Sequence, residues 1–471
     1  MSQQGIGLEA QGSTGLEAQD SPGSQAQNNS GPQDQGNTRP QGQHSPASAA
    51  GPHVVIAPDS FKGSLSAADV ASAMSRGVLA ARPDARVSLL PMADGGEGTL
   101  EALASAWGVD LQTAQVVDAI GRPGLACWAV SPDGRMGVVE LAQASGLPAV
   151  SDVPLQPLDA HTYGMGQLAA AVLDAGVDEV LVCLGGSAST DAGAGFVTAL
   201  GVRILDAQGS QVPLGGRGLA QAAAIDITGL HPRAALVSWR MAVDVDNPLT
   251  GPRGAAAIFG PQKGASPADI SLLDASLGHF AQLLEGHCGN PVASLPGTGA
   301  AGGVPAVLLA LLGGEIEAGA ALVSQAIGLP EAVRDADLVL TGEGRFDEQS
   351  IHGKVADGVA QAVAQAHGGV RAQENAPARE HIQTSADPQA LGDTHTQSND
   401  PARRRALASQ RPPVVVIAGS VTLPAAQARA AGITAALSIA PGPIDLTTLL
   451  ACTPQQLSHV AEQVTALSLP D

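Results

Sequence analysis

Residues 53–70 read HVVIAPDSFKGSLSAADV. His53–Pro58 is a short apolar run that reads as a strand. Ser66 then opens an apolar-periodic stretch, Ser66–Ala80, with Asp69 three residues on, the spacing of a capping box at a helix start. Between them lies a turn-like loop with Lys62 beside Gly63. A strand, a loop and a helix in this order predict the first part of a β-α-β unit.

The same alternation continues outward. Val87–Met92 reads as a strand and Thr99–Trp107 as a helix; Val180–Leu184 as a strand followed by a glycine loop; Asp337–Thr341 as a strand before the helix Lys354–Ala366. Val414–Ala418, Pro424–Ala431 and Ala435–Ile439 repeat strand, helix, strand. Such alternation predicts a layered α/β fold with parallel strands. From about 113 to 295 the pattern is less regular, with strand-like pieces ACWAV, MGVVEL and SWRMAV, and predicts a second domain inserted in the first. Residues 1–51 are rich in Gln, Gly, Ser, Asn and Pro, and 370–411 are similarly polar. Neither can bury enough apolar surface to offset chain entropy, so both are expected to be disordered, one as an extension and one as an insertion, the latter with a short helix near RRRALAS.

Composition narrows the partners. The apolar share of 44% supplies ample core, and the formal net charge of −21 argues against nucleic acid and anionic membranes as partners. The four cysteines, Cys127, Cys183, Cys288 and Cys452, show no metal or CxxC spacing. With no signal peptide and no long apolar run, a reducing, cytoplasmic setting is expected. Only three of the 23 basic residues are lysines: Lys62, Lys263 and Lys354, each beside a glycine in turn-like sequence. In so acidic a chain they mark where an anionic small molecule would find local positive charge.

In open α/β sheets, ligands bind beyond the carboxyl ends of the strands. Five loops there carry chemistry. The loop APDSFKGS (57–64) places Lys62 where free helix N–H groups favour an anion; a solvated lysine is the plain alternative. MADGGEGT (92–99) has carboxylates, among them Asp94, that suit Mg²⁺, or it is simply a tight turn. LGGSASTDAGAG (184–195) suits phosphates held by backbone amides at Gly185, Gly186, Gly193 and Gly195, with Asp191 near a reacting hydroxyl or metal. In DVDNPL (244–249), Asp244 and Asp246 share one side if the chain stays extended, unless they form a turn before Pro248; Arg253 and Lys263 follow. TGEGRFDEQ (341–349), then His352-Gly353-Lys354, offers Arg345, Glu343 and Asp347 to substrate or metal, or to one another as an ion pair. GTGAAG (297–302) is too poorly framed for a dinucleotide site, and His161 reads as a structural turn residue.

Taken in order, IAPDSFKGSLSA, PMADGGEGT, TYGMG, GGSASTDAGAG, DVDNPLTGPRGAAAIFGPQKGA, TGAAGG and LTGEGRFDEQSIHGK resemble the type I glycerate kinases over roughly 53–369 and 412–444. GGSASTDAGAG departs from the commoner GGSATNDGGAG, and GRFDEQSIHGK from GRIDxQTxxGK, each keeping its charged residues. The resemblance implies ATP-dependent phosphorylation of D-glycerate to 2-phosphoglycerate with Mg²⁺. It also implies a Rossmann-like parallel-sheet domain built from both chain ends (52–112, 296–369, 412–471) and an inserted α/β domain (113–295), with the site between them. On this reading Asp191, Lys62 and Arg345 are catalytic. Ser60, Lys62, Ser64, Arg345, Asp347 and Lys354 bind substrate. Gly185, Gly186, Ser187, Gly193, Gly195 and Lys263 bind nucleotide, and Asp94, Asp244, Asp246 and Glu343 bind metal. A monomer or homodimer is expected. A kinase for another small hydroxy acid and a non-catalytic glycerate sensor are the competing readings.

Overall fold

The computed structural model describes residues 51–368 and 411–470. The expected extension and insertion, with the helix near RRRALAS, lie outside these residues, apart from Gly51 and Arg411. The strands, in chain order, are β1 His53–Ile56, β2 Arg86–Leu89, β3 Gln112–Val117, β4 Pro123–Val130, β5 Met136–Glu140, β6 Glu179–Cys183, β7 Arg203–Leu205, β8 Ala224–Asp226, β9 Ser238–Ala242, β10 Glu315–Glu317, β11 Leu338–Phe346, β12 Val414–Val421 and β13 Ala435–Ser438.

One sheet has the order β13-β12-β11-β1-β2, parallel throughout. The interior strand β1 is short and wholly apolar after His53, because both its faces are covered. Val54 and Ile56 face the helices Ala67–Ala81 and Leu446–Ser468. Val55 and Ala57 point the other way, as strand alternation requires. Ser66 caps Ala67–Ala81 through a hydrogen bond from the Asp69 N–H, as the sequence predicts.

A second sheet has the order β10-β9-β6-β5-β4-β3, parallel except where β4 meets β3 and β5. ACWAV, MGVVEL and SWRMAV fall on β4, β5 and β9. β10 joins this sheet from beyond residue 295. β7 and β8 form a separate antiparallel pair. Between the sheets lies one apolar layer: Val55 and Ala57 on one side, Ala129, Val138 and Leu181 on the other, with Leu100, Leu103, Leu322 and Val359 between. Burying each such large side chain contributes roughly 1.5–3 kcal/mol. Because this shared core is continuous, the carboxyl ends of both sheets' strands are held in fixed relation.

The helix Leu446–Ser468 was not legible in the sequence. Pro454 sits inside it, which breaks the pattern a helix normally shows. It crosses Ala67–Ala81 closely at Gly77, where a Cβ would fall 2.0 Å from the Ser458 carbonyl oxygen. No described helix is long and apolar enough to cross a membrane.

Candidate active site

Four strand ends converge on a cleft of about 310 Å³. The loop after β1 contributes Lys62 and the loop after β2 contributes Asp94, Gly95, Gly96 and Glu97. β6 leads to Gly185, Gly186 and Ser187, and β9 to Asp244. Phe259, Gln262, Lys263, Ala300 and Ala301 also line it. Two of the three lysines thus face one cleft. Lys354 belongs to the same charge system, since its field favours the ionised forms of Asp244 and Glu343.

Close backbone approach shapes the floor. A Cβ on Gly185 would lie 2.7 Å from the Glu97 nitrogen, so the loops after β2 and β6 touch only because residue 185 has no side chain. Glu140, ending β5, accepts the N–H groups of Gly98 (3.1 Å) and Leu100 (2.9 Å), fixing the start of the helix Thr99–Trp107. Burial pushes its pKa up while these hydrogen bonds oppose the shift.

The carboxylates are electrostatically unusual. Burial, reinforced by the charge of Asp94, lifts Asp59 to about 6. Burial lifts Asp244 to about 6, with Asp94 adding and the Gly319 N–H bond opposing. Burial also lifts Glu343 to about 7 against the pull of Ser350 and Lys354, and its Oε1 has no hydrogen-bond partner among the described residues. Asp59 was not singled out as a site residue. Its position follows from β1 lying beside β11: the Asp59 N–H donates to the Gly342 carbonyl at 2.8 Å, next to Glu343.

Several of the residues that the sequence offers for the site lie away from the cleft lining. Asp191 does not face the cleft. It is fully buried, and its carboxylate accepts hydrogen bonds from the Thr162 N–H and hydroxyl and from the Gly193 and Gly195 N–H groups. These four hydrogen bonds make Asp191 a brace for the loop after β6. Gly193 and Gly195 serve packing: a Cβ would strike Val307 in one and the Tyr163 nitrogen in the other. Asp246 is exposed and paired with Arg253 at 2.8 Å. β9 ends at Ala242, so strand alternation does not carry Asp246 to the side of Asp244. The four proposed metal residues therefore form no single ligand set, and no three described His, Cys, Asp or Glu side chains gather as one. Asp94 and Asp244 remain together on the cleft.

Ser64 donates to the Leu450 carbonyl at 3.4 Å and is absent from the cleft lining. Ser60 donates its N–H to Asp59. Arg345 pairs with Asp347 at 3.0 Å, the ion-pair alternative raised for that segment. These two lie beyond the cleft lining, on the β11 extension whose Gly344 adjoins Phe61 and Lys62. Ser187 lines the cleft, its hydroxyl 3.3 Å from the Ala301 carbonyl. Ala301 has φ of 50°, a strained value for alanine, in the segment GTGAAG that the sequence reading set aside. His161 is buried beside Asp191 and burial holds its pKa down, as a structural residue would have it.

Lysines and carboxylates meeting at the carboxyl ends of parallel strands define an α/β enzyme site for a small anionic substrate. Residues 54–374 and 401–469 match the glycerate kinase family, and the chain belongs to that kinase family. A glycerate 2-kinase of Escherichia coli is 45% identical over 314 residues, 67% of this chain and 82% of that protein. A glycerate kinase of Bacillus subtilis is 45% identical over 309 residues, 66% of this chain and 81% of the relative. The crystal structure of a Salmonella typhimurium protein assigned as glycerate kinase 2 superposes with a TM-score of 0.72 at 38% identity, covering 88% of this chain and 98% of that one.

Proposed function

We propose that the protein transfers the γ-phosphoryl group of ATP to the 2-hydroxyl of D-glycerate, giving 2-phosphoglycerate, in the cytoplasm. The observation that carries this reading is the meeting of Lys62 and Lys263 with Asp94 and Asp244 around one cleft, in a chain of net charge −21. Phosphoryl transfer needs an acceptor in line with the phosphate, neutralised charge and little water.

In this reading Lys62 neutralises the transferring group or the glycerate carboxylate. Arg345, Asp347 and Lys354, on the adjoining β11 loop, bound the acceptor side. Gly185, Gly186 and Ser187 with Lys263 receive the phosphates. Asp94 and Asp244 fit Mg²⁺, which kinases hold through one or two carboxylates plus substrate phosphates rather than by a complete protein cage. Bound there, Mg²⁺ supplies charge neutralisation across the phosphates. Burial of Asp244 and repulsion from Asp94 disfavour its charged form, and a divalent cation would relieve both.

The test is ADP release on mixing enzyme, ATP and D-glycerate, with the product identified by phosphorus NMR. 2-Phosphoglycerate supports the proposal. 3-Phosphoglycerate, or turnover only with another hydroxy acid from a panel, overturns it.

A further inference from the structure

Lys263 is the most enclosed cation of the cleft. It ends the short turn Pro261–Lys263 and is 2% exposed. Its ammonium contacts the Ser189 carbonyl and lies 3.5 Å from the Ser187 hydroxyl. It forms no ion pair with any described carboxylate. Asp191, in the loop after β6, is the acid whose field reaches it, but that carboxylate is spent on Thr162, Gly193 and Gly195. His161 lies behind Asp191, and Lys62, Asp94, Glu97 and Asp244 share the cleft lining.

A buried charge without a counter-ion is costly, and a lysine so placed holds its proton less tightly. Burial accordingly brings Lys263 down to about 8, with Asp191 opposing. An anion arriving in the cleft changes this balance, because it favours the charged ammonium. Two features say which anion. The neighbouring Gly185-Gly186-Ser187 loop suits phosphate oxygens, and Phe259, the aromatic residue of the lining, lies four residues before Lys263 and is an apolar neighbour suited to a base.

We propose that Lys263 receives a phosphoryl group of the nucleotide, and that the share of the protein in which this buried lysine is neutral takes up a proton from solvent as that group binds, so that nucleotide affinity weakens as the pH rises above neutral. This rests on the reading of the cleft as a phosphoryl-transfer site. It makes Lys263 a buried receptor for the nucleotide, distinct from the exposed Lys62.

The test is titration calorimetry of the full-length protein with tripolyphosphate and, separately, D-glycerate, in buffers of differing ionisation enthalpy. The Lys263→Arg variant is the reference, because guanidinium stays charged throughout. For tripolyphosphate, the wild type should take up more protons than the variant, by about 0.1 at pH 7 and about 0.75 at pH 8.5. Its affinity should fall about fourfold relative to the variant across that interval. Equal uptake by the two proteins overturns the proposal, as does excess uptake with D-glycerate alone. If the arginine does not fit, Lys263→Met serves as the reference, and loss of both binding and pH-linked uptake is expected. Proton uptake on tripolyphosphate without turnover of glycerate would sink the proposed function and leave this inference standing. Turnover without uptake would do the reverse.

Discussion

The Ser64 hydroxyl donates to the carbonyl of Leu450 at 3.4 Å. That carbonyl is one turn before Pro454, whose ring has no N–H to offer it. The last helix therefore keeps an acceptor free, and the loop carrying Lys62 fills it. This ties a residue two positions from Lys62 to the far end of the chain, and separates the roles of two neighbours that sequence alone grouped together.

Ser64→Ala and Lys62→Ala should accordingly diverge. The Ser64 bond is solvent-facing and long, so its loss costs under about 1 kcal/mol and leaves kcat/KM within about twofold. Lys62 is exposed to the cleft, and its loss should lower kcat/KM at least tenfold, about 1.4 kcal/mol, without changing the melting temperature. Steady-state kinetics with ATP and D-glycerate, alongside thermal melts, check both. Equal kinetic effects would return Ser64 to the substrate site.

Asp191 is expected to act on stability first. Its carboxylate satisfies four donors inside the core, and removing it leaves buried N–H groups without partners. Asp191→Ala should cost at least about 3 kcal/mol in urea unfolding. Thr162→Val, which removes one donor to Asp191 and the acceptor of the buried Phe196 N–H, should cost about 2 kcal/mol. A normally stable Asp191→Ala protein lacking only turnover would point to a direct chemical role instead.

What could be read in advance follows the range of each signal. The unit β1, loop, helix was legible because an apolar run and the Ser66 cap are local patterns. Lys62 and Lys263 stood out because lysine is rare in this chain. Asp59 did not, because its character comes from burial between packed elements and from Asp94, which a loop distant in sequence brings to it. Phe259 and Ala301 carry no local mark of a ligand site, and Pro454 masked the last helix. Asp244 and Asp246 part because strand alternation does not hold beyond the end of β9, a condition the sequence could only state as an alternative.

Mg²⁺ dependence should separate the two aspartates of DVDN. Asp244→Asn and Asp94→Asn should each raise the Mg²⁺ concentration for half-maximal rate by about tenfold, because a cation held by few protein ligands depends on each. Asp246→Asn loses only an exposed pair with Arg253 and should shift that concentration less than about twofold. Titrating Mg²⁺ at fixed ATP measures all three. A large effect at Asp246 would mean that the loop refolds when substrates bind.

Glu343 makes stability depend on pH in a direction opposite to that of a salt-bridged acid. Burial raises its pKa to about 7 from 4.5, so the folded chain holds this proton more tightly than the unfolded chain. Below pH 4 the group is protonated in both states and its contribution is fully favourable. As pH rises the unfolded chain releases the proton first, stability falls, and the loss is complete once pH passes the folded value. Glu343→Gln keeps the shape and removes the ionisation. It should therefore stabilise the protein at pH 8 by on the order of 2 kcal/mol more than at pH 5. Urea unfolding of both proteins at the two pH values measures this, without Mg²⁺ or substrates so that no bound cation masks the cost. A stability difference that is the same at pH 5 and pH 8 would show that Glu343 keeps an ordinary pKa in the folded chain, with a partner for its charge at the β11 end of the site.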